Sequence, residues 1–286
     1  MTMNHAGIHE FDRSNVVSKD GTKIGFLSIG KGPDLLIIHG ALSDSSRFTR
    51  LAKELAGTFR VHVIDRRGRG MSGPQGPEYS MEKECEDIAA VQQATKAELV
   101  FGHSYGGLAA LETARIFNPF SAIAVYEPGV TIHSRPEEWD WLADYEMAMV
   151  KKDHRTAFAH FVRGAGHSPL SKLPLWYARL MLSIFIRGQH WRELEALLKQ
   201  NLLEHREVRR LAGTYRDYGN LEAKLLLVSG GKSPQTVKET ILALNDTIPN
   251  SVKLEIPELE HLSPENRYEP VKVAEPIKRF FLNLYN

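Results

Sequence analysis

The stretch "FGHSYGG", residues 101–107, decides how this chain is read. Ser104 follows the apolar run Leu99-Val100-Phe101 and precedes a helical pattern, "GGLAALETARIF". A strand that turns straight into a helix presents the residue at the turn, and only small neighbours leave room for so tight a bend. Gly102-His103-Ser104-Tyr105-Gly106 meets that requirement, which makes Ser104 the candidate nucleophile. Such a serine needs two further things: a base beside it and donors for the oxyanion that its attack creates.

Two other stretches supply candidates. "LLIIHGALSD" (35–44) ends a strand at His39-Gly40, which sets the backbone N–H of Ala41 beside the turn. With the N–H of Tyr105 it would form an oxyanion hole, each donor being typically worth about 3–4 kcal/mol to the transition state. The side chain of His39 is expected to shape that loop. In "LEIPELEHLSPEN" (254–266), His261 follows the last strand of the chain. Catalytic groups of open α/β sheets gather at the carboxyl ends of the strands, and this position singles out His261 as the base from among twelve histidines. His103 is expected to pack beneath the turn.

The rest of the chain alternates strand and helix signals. Asp20-Gly21 between β-branched runs reads as a hairpin turn. "DLLIIHG", "RVHVID", "ELVFG", "SAIAVYEPG", "AKLLLVSGG" and "SVKLEIP" read as strands separated by helices. In "SSRFTRLAKELAG", Phe48, Leu51, Ala52 and Leu55 form one helical stripe, with Asp44 or Ser45 as the cap and Gly57 as the stop. This alternation predicts an α/β fold, a mostly parallel sheet with helices on both faces. Residues 130–220 hold several helical patterns, no convincing strand, and all four tryptophans (139, 141, 176 and 191). They are expected to form a helical cap, or lid, with residues 1–129 and 221–286 as the core.

Composition excludes several classes. Lys+Arg at 36 against Asp+Glu at 35 gives a formal charge of +1, so no global field attracts nucleic acid. The single cysteine, Cys85, suits a reducing compartment. The first residues lack a secretory signal, and no apolar run approaches the roughly 18 residues of a membrane span. A cytoplasmic protein with no nucleic-acid or membrane partner is expected, as monomer or homodimer, without cofactor or metal. "GGKS" (230–233) lacks the glycine that a phosphate-binding loop needs five places earlier, where Leu226 stands. "DRRGRG" (65–70) reads as a solvated or ion-paired turn, and His154, His160 and His167 lack metal-ligand spacing.

Taken in order, "DGTKIGF", "IIHGALSD", "IDRRGRGMS", "GHSYGG", "YEP" and "HLSPE" resemble the α/β-hydrolase fold superfamily over nearly the whole chain. The resemblance implies an eight-stranded, mostly parallel sheet, a helical cap inserted after the sixth strand, Ser104 as nucleophile and His261 as base. It also implies a triad acid in a Gly-x-x-Asp turn after the seventh strand, and here the chain departs: Ser233 takes that place in "LLLVSGGKSP". Haloalkane dehalogenases place the acid after the sixth strand instead, where this chain has Glu127. Of the competing carboxylates, Asp65 reads as structural, Asp246 as remote, and Glu258 and Glu260 as too near His261 in sequence to reach its ring. On this reading Glu127→Gln removes most turnover and Ser233→Ala does little.

The expected activity is hydrolysis of a small, largely apolar carboxylic ester or lactone by a Ser-His-Glu triad. The alternatives are carbon–carbon bond hydrolysis or cofactor-free perhydrolysis with the same triad, or ligand binding with vestigial activity.

Overall fold

The structure, a computed structural model, describes residues 10–166 and 169–284. They fall into two compact units, the described residues of Met1–Val130 with Arg216–Asn286, and those of Thr131–Tyr215.

The first unit is built on one eight-stranded sheet of order β1-β2-β4-β3-β5-β6-β7-β8. Its strands are β1 (Asp12–Val17), β2 (Lys23–Ile29), β3 (Asp34–Ile38), β4 (Arg60–Ile64), β5 (Leu99–His103), β6 (Ala122–Tyr126), β7 (Lys224–Gly230) and β8 (Ser251–Ile256). Only β2 pairs antiparallel, with β1 and β4; every other pair is parallel. Central strands read as unbroken apolar runs because both their faces are covered: β5 and β6 are buried at every residue. Burying one such Val, Leu or Ile contributes about 1.5–3 kcal/mol. The edge strands β1 and β8 are mostly exposed or half-buried, and they carry the polar residues.

Helices α1 (Thr49–Leu55) and α10 (Pro270–Leu282) pack together, as do α2 (Met81–Thr95) and α3 (Tyr105–Phe117), while α9 (Gln235–Thr247) lies against β7 and β8. The stripe Phe48, Leu51, Ala52 and Leu55 is fully buried, and the Asp44 side chain caps the preceding turn by accepting from Ser46 N–H. One detail differs: α1 ends at Leu55 with Ala56 still right-handed, and Gly57 has no left-handed φ, so it is not the stop. Gly21, by contrast, turns the β1–β2 hairpin at φ +85°.

Parallel register brings the strand ends level. Ile38 faces Gly102, His103 faces Tyr126, Tyr126 faces Val228, and Gly230 faces Ile256. The chain leaves β4 on one side of β3 and resumes in β5 on the other. Loops leaving β3 and β5 therefore part at a topological switch point, the place at which open α/β sheets characteristically bind ligands.

The second unit contains α4 (Asp140–Val150), α5 (His154–Gly164), α6 (Leu175–Phe185), α7 (Gly188–Ala196) and α8 (Leu198–Arg210), with no strand among its described residues. The pattern over 190–213 breaks at Leu197 into α7 and α8 rather than forming one helix. Trp139, Trp141 and Trp191 pack with Tyr145, Phe158 and Phe161. Trp176 stands apart from that cluster, 68% exposed.

Candidate active site

Ser104 occupies the bend between β5 and α3 at φ 53°, ψ −122°, a region that costs a side-chain-bearing residue on the order of 1–3 kcal/mol. Its surroundings explain the glycines. A Cβ on Gly102 would meet the Gly106 carbonyl oxygen at 2.6 Å, and one on Gly106 would collide with the carbonyl oxygens of Ile38 and His39. The bend is held by Ser104 N–H donating to the Tyr126 carbonyl (3.0 Å) and by Gly129 N–H donating to the Ser104 carbonyl (2.8 Å). Strand β6 and the turn after it therefore brace the strained residue.

His261, from the loop after β8, reaches this point. Its Nε2 lies 3.1 Å from Ser104 Oγ and its Nδ1 2.8 Å from Glu127 Oε2. A carboxylate only accepts, so Nδ1 carries the proton and Nε2 turns its lone pair to the serine hydroxyl. The loop is fixed from below: His103 Nε2 donates to the His261 carbonyl (2.8 Å), and the Tyr126 hydroxyl donates to the Glu260 carbonyl (2.9 Å). Burial pushes the His261 imidazole down to about 4, which keeps it neutral at physiological pH.

Glu127 is buried at the end of β6, with φ 45°. Its Oε1 accepts from Gly230 N–H (2.8 Å) and from the Ser233 hydroxyl, leaving Oε2 for His261. Ser233, the residue at the departure from the Gly-x-x-Asp pattern, thus lies against the carboxylate. That contact is absent from the sequence reading, which gave Ser233 no part beside the acid. The sequence signal was the departure itself, since a small hydroxyl residue leaves room for an incoming glutamate where aspartate would add a second charge.

Two of the competing carboxylates, Asp65 and Glu258, are engaged elsewhere. Asp65 accepts from Ser45 N–H and Met71 N–H (both 2.9 Å) and shapes the turn after β4. Glu258 faces Lys272 at 3.8 Å, and Asp246 lies on α9.

Gly40 abuts the bend: a Cβ there would lie 3.1 Å from Ser104 Cβ. The Gly40 carbonyl accepts from His39 Nδ1 (2.8 Å) and Arg66 Nη2 (3.1 Å). In a planar trans peptide these two donors also fix the opposed N–H of Ala41. Tyr105 begins α3, so its N–H belongs to the positive end of the helix dipole. Of the two readings of "DRRGRG", solvated or ion-paired, the ion-paired one holds for Arg66 and Arg67. Arg66, Arg67 and Arg69 are buried; Arg67 meets Asp87 bidentately (2.6 and 2.7 Å), and Arg66 lies 3.4 Å from Glu84. The apparent phosphate-loop tail is likewise a packing feature, since a Cβ on Gly231 would lie 2.6 Å from Pro257 Cα. His154 and His160 face Glu195 and Asp144, while His167 lies outside the described residues.

The model of the alpha/beta hydrolase family matches residues 35–273, from β3 into the last helix. The chain belongs to the alpha/beta hydrolase family. A solved alpha/beta hydrolase from Sphaerobacter thermophilus is 28% identical, with a TM-score of 0.79, over 94% of this chain and 100% of that one. A thermophilic esterase from Thermogutta terrifontis, 22% identical at a TM-score of 0.63 over 96% and 100% of the two chains, shares the hydrolase fold. A pimeloyl-[acyl-carrier protein] methyl ester esterase of Vibrio campbellii is 33% identical over 98 residues, which are 32% of this hydrolase and 35% of the relative. This match spans about a third of the curated relative's length. No helix among the described residues of the hydrolase is long and apolar enough to cross a membrane.

Proposed function

We propose that this hydrolase cleaves a small, largely apolar carboxylic ester or lactone through Ser104, His261 and Glu127. The single observation that carries the reading is the unbroken chain of contacts from Glu127 Oε2 through the His261 ring to Ser104 Oγ. The local match to methyl ester esterases supports ester chemistry.

His261 Nε2 takes the proton of Ser104 as Oγ attacks the carbonyl carbon. Negative charge then collects on the carbonyl oxygen, where the N–H groups of Ala41 and Tyr105 receive it. Collapse of the tetrahedral intermediate breaks the ester C–O bond, and His261 returns its proton to the departing alkoxide. Water, deprotonated by the same ring, attacks the acyl-enzyme; the acyl–Oγ bond breaks, Ser104 Oγ takes the proton back from His261, and the acid is released. Glu127 keeps the ring oriented and stabilises it while it is cationic. Ser233 is a positioning residue that acts through Glu127.

A fluorophosphonate probe together with p-nitrophenyl butyrate turnover tests the reading: both labelling and turnover are expected. Labelling without turnover would favour a ligand-binding protein, and turnover confined to a diketone would favour carbon–carbon cleavage.

The Ser233→Ala variant removes the hydroxyl donor on Glu127 Oε1 and leaves the Gly230 N–H in place. A hydrogen bond to a charged group contributes about 1.5–3 kcal/mol, part of which the remaining donor offsets. The expected result is a kcat about tenfold lower at unchanged KM, against retention of rate in Ser233→Thr. A loss as deep as that of Glu127→Gln would reassign the more important role to Ser233.

The pH profile follows from His261. Only the neutral ring can take the serine proton, and burial lowers its pKa from 6.5. A lowered pKa means that protonation begins at a lower pH, so kcat/KM is expected to stay level from neutrality through 6.5 and to fall only on approach to about 4. An acid limb centred at or above 6.5 in stopped-time assays would contradict this.

A further inference from the structure

Helix α6, "LWYARLMLSIF", is apolar on two opposite faces. Ala178 and Leu182 are buried on one, where α6 packs on α5. Trp176, Leu180 and Ile184 recur at i, i+4 and i+8 on the other, with Tyr177 beside them, and all four are exposed. Phe185, at the end of the helix, is 75% exposed. Large aromatic and aliphatic side chains standing together in water mark an interaction surface rather than the scatter normal for a soluble face.

Charge indicates what that surface meets. Residues 154–192 contain Arg155, Arg163, Lys172, Arg179, Arg187 and Arg192 and not one aspartate or glutamate. The whole chain carries 36 basic and 35 acidic residues, so the remainder holds thirty against thirty-five and is net negative. Positive charge is therefore concentrated in the segment that bears the apolar face. Lys172 precedes α6, Arg179 borders its exposed stripe, and Arg187 follows Phe185; all three are exposed. The carboxylate near Arg179 is Asp153 at 3.9 Å, and Arg187 Nε donates to the Ser183 carbonyl.

We propose that α6 is an interfacial helix that seats this hydrolase on an anionic lipid surface. Trp176, Tyr177, Leu180 and Ile184 would enter the boundary between headgroups and acyl chains, and Lys172, Arg179 and Arg187 would pair with anionic headgroups. An aromatic and aliphatic face rimmed by cations is the chemistry of helices that lie in the plane of a membrane. Trp and Tyr, with an apolar ring and a polar edge, suit that depth. At 11 residues the helix is about 16 Å long, enough to lie on a surface and too short to span one. This departs from the sequence expectation of no membrane partner, which rested on the lack of a spanning run; a helix lying flat requires none. Self-association through the same face is disfavoured, because a two-fold axis would bring like cations together.

Co-sedimentation of the full chain with vesicles tests the proposal, and it does not use turnover, so its outcome is separate from that of the proposed function. Two vesicle types are compared, phosphatidylcholine alone and phosphatidylcholine with about a quarter phosphatidylserine, at about 0.1 M and about 1 M salt. The expected result is partition onto the anionic vesicles, weakened by salt. It should drop at least tenfold in Trp176→Ser/Leu180→Ser and in Arg179→Glu/Arg187→Glu, each with unchanged circular dichroism and Tm. The second pair replaces only exposed polar side chains and keeps the test valid should the first pair unfold. Absence of partition, or partition of either variant equal to that of the unsubstituted protein, would overturn the proposal. So would a concentration-dependent doubling of mass abolished by Trp176→Ser, which assigns the face to a second copy. Retention on polyglutamate without vesicle binding would assign it to an acidic protein and equally overturn it.

Discussion

Glu127→Gln is expected to lower kcat on p-nitrophenyl butyrate by about 10⁴ while leaving KM and Tm nearly unchanged. The magnitude is that of the equivalent acid-to-amide change in the well-studied serine protease template, where it acts through the wrong histidine tautomer. The same physics applies here residue by residue. Glutamine fills the same volume beneath His261 and still accepts from Gly230 N–H through its amide oxygen. Its amide nitrogen then faces His261 Nδ1 as a donor. The ring must turn its lone pair to that nitrogen and its proton to Ser104, and in that tautomer it cannot accept the serine proton. Steady-state kinetics of the purified variant are the check. A loss of less than about tenfold would move the acid's role elsewhere, with Asp246, Glu258 and Glu260 next to be replaced.

Ser104→Ala is expected to abolish fluorophosphonate labelling and to lower kcat by about 10⁶, the scale on which removal of a triad nucleophile acts. Alanine at the same positive φ carries the same backbone strain as serine, so Tm should not move. Thermal unfolding alongside the activity assay therefore separates loss of chemistry from loss of fold. Persistent labelling in this variant would place the nucleophile at another residue and end the reading centred on the bend.

The elements of the site were legible to different degrees. Ser104 could be found because a strained bend imposes its demands locally: glycines at 102 and 106 are required by backbone oxygens from β3 and from α3 itself, and such steric needs leave a mark in sequence. His261 could be found from its order in the chain, since it follows the last strand. Glu127 was reached through the family resemblance, because the usual acid position holds Ser233 and haloalkane dehalogenases place the acid after the sixth strand. The contact of Ser233 with Glu127 was not legible. A hydroxyl donating to a carboxylate 106 residues away leaves no trace in local pattern. The "DRRGRG" run read as solvated or ion-paired, and its partners Asp20, Glu84 and Asp87, which pair with Arg66 and Arg67, arrive from elsewhere in the chain.

By itself the sequence determined the α/β alternation, the strained serine, and the histidine that follows the last strand, because hydrophobic period, turn chemistry and chain order are local or sequential properties. Only the tertiary structure decided which carboxylate meets the histidine. Parallel register places Tyr126 opposite Val228, so that Glu127, at φ 45° just beyond it, sends its side chain across to Gly230 and Ser233. It also decided that the arginines after β4 are buried and that Trp176 is not. Those outcomes depend on which distant residues arrive at the same place, and pairings in space between residues dozens of positions apart have no period to read.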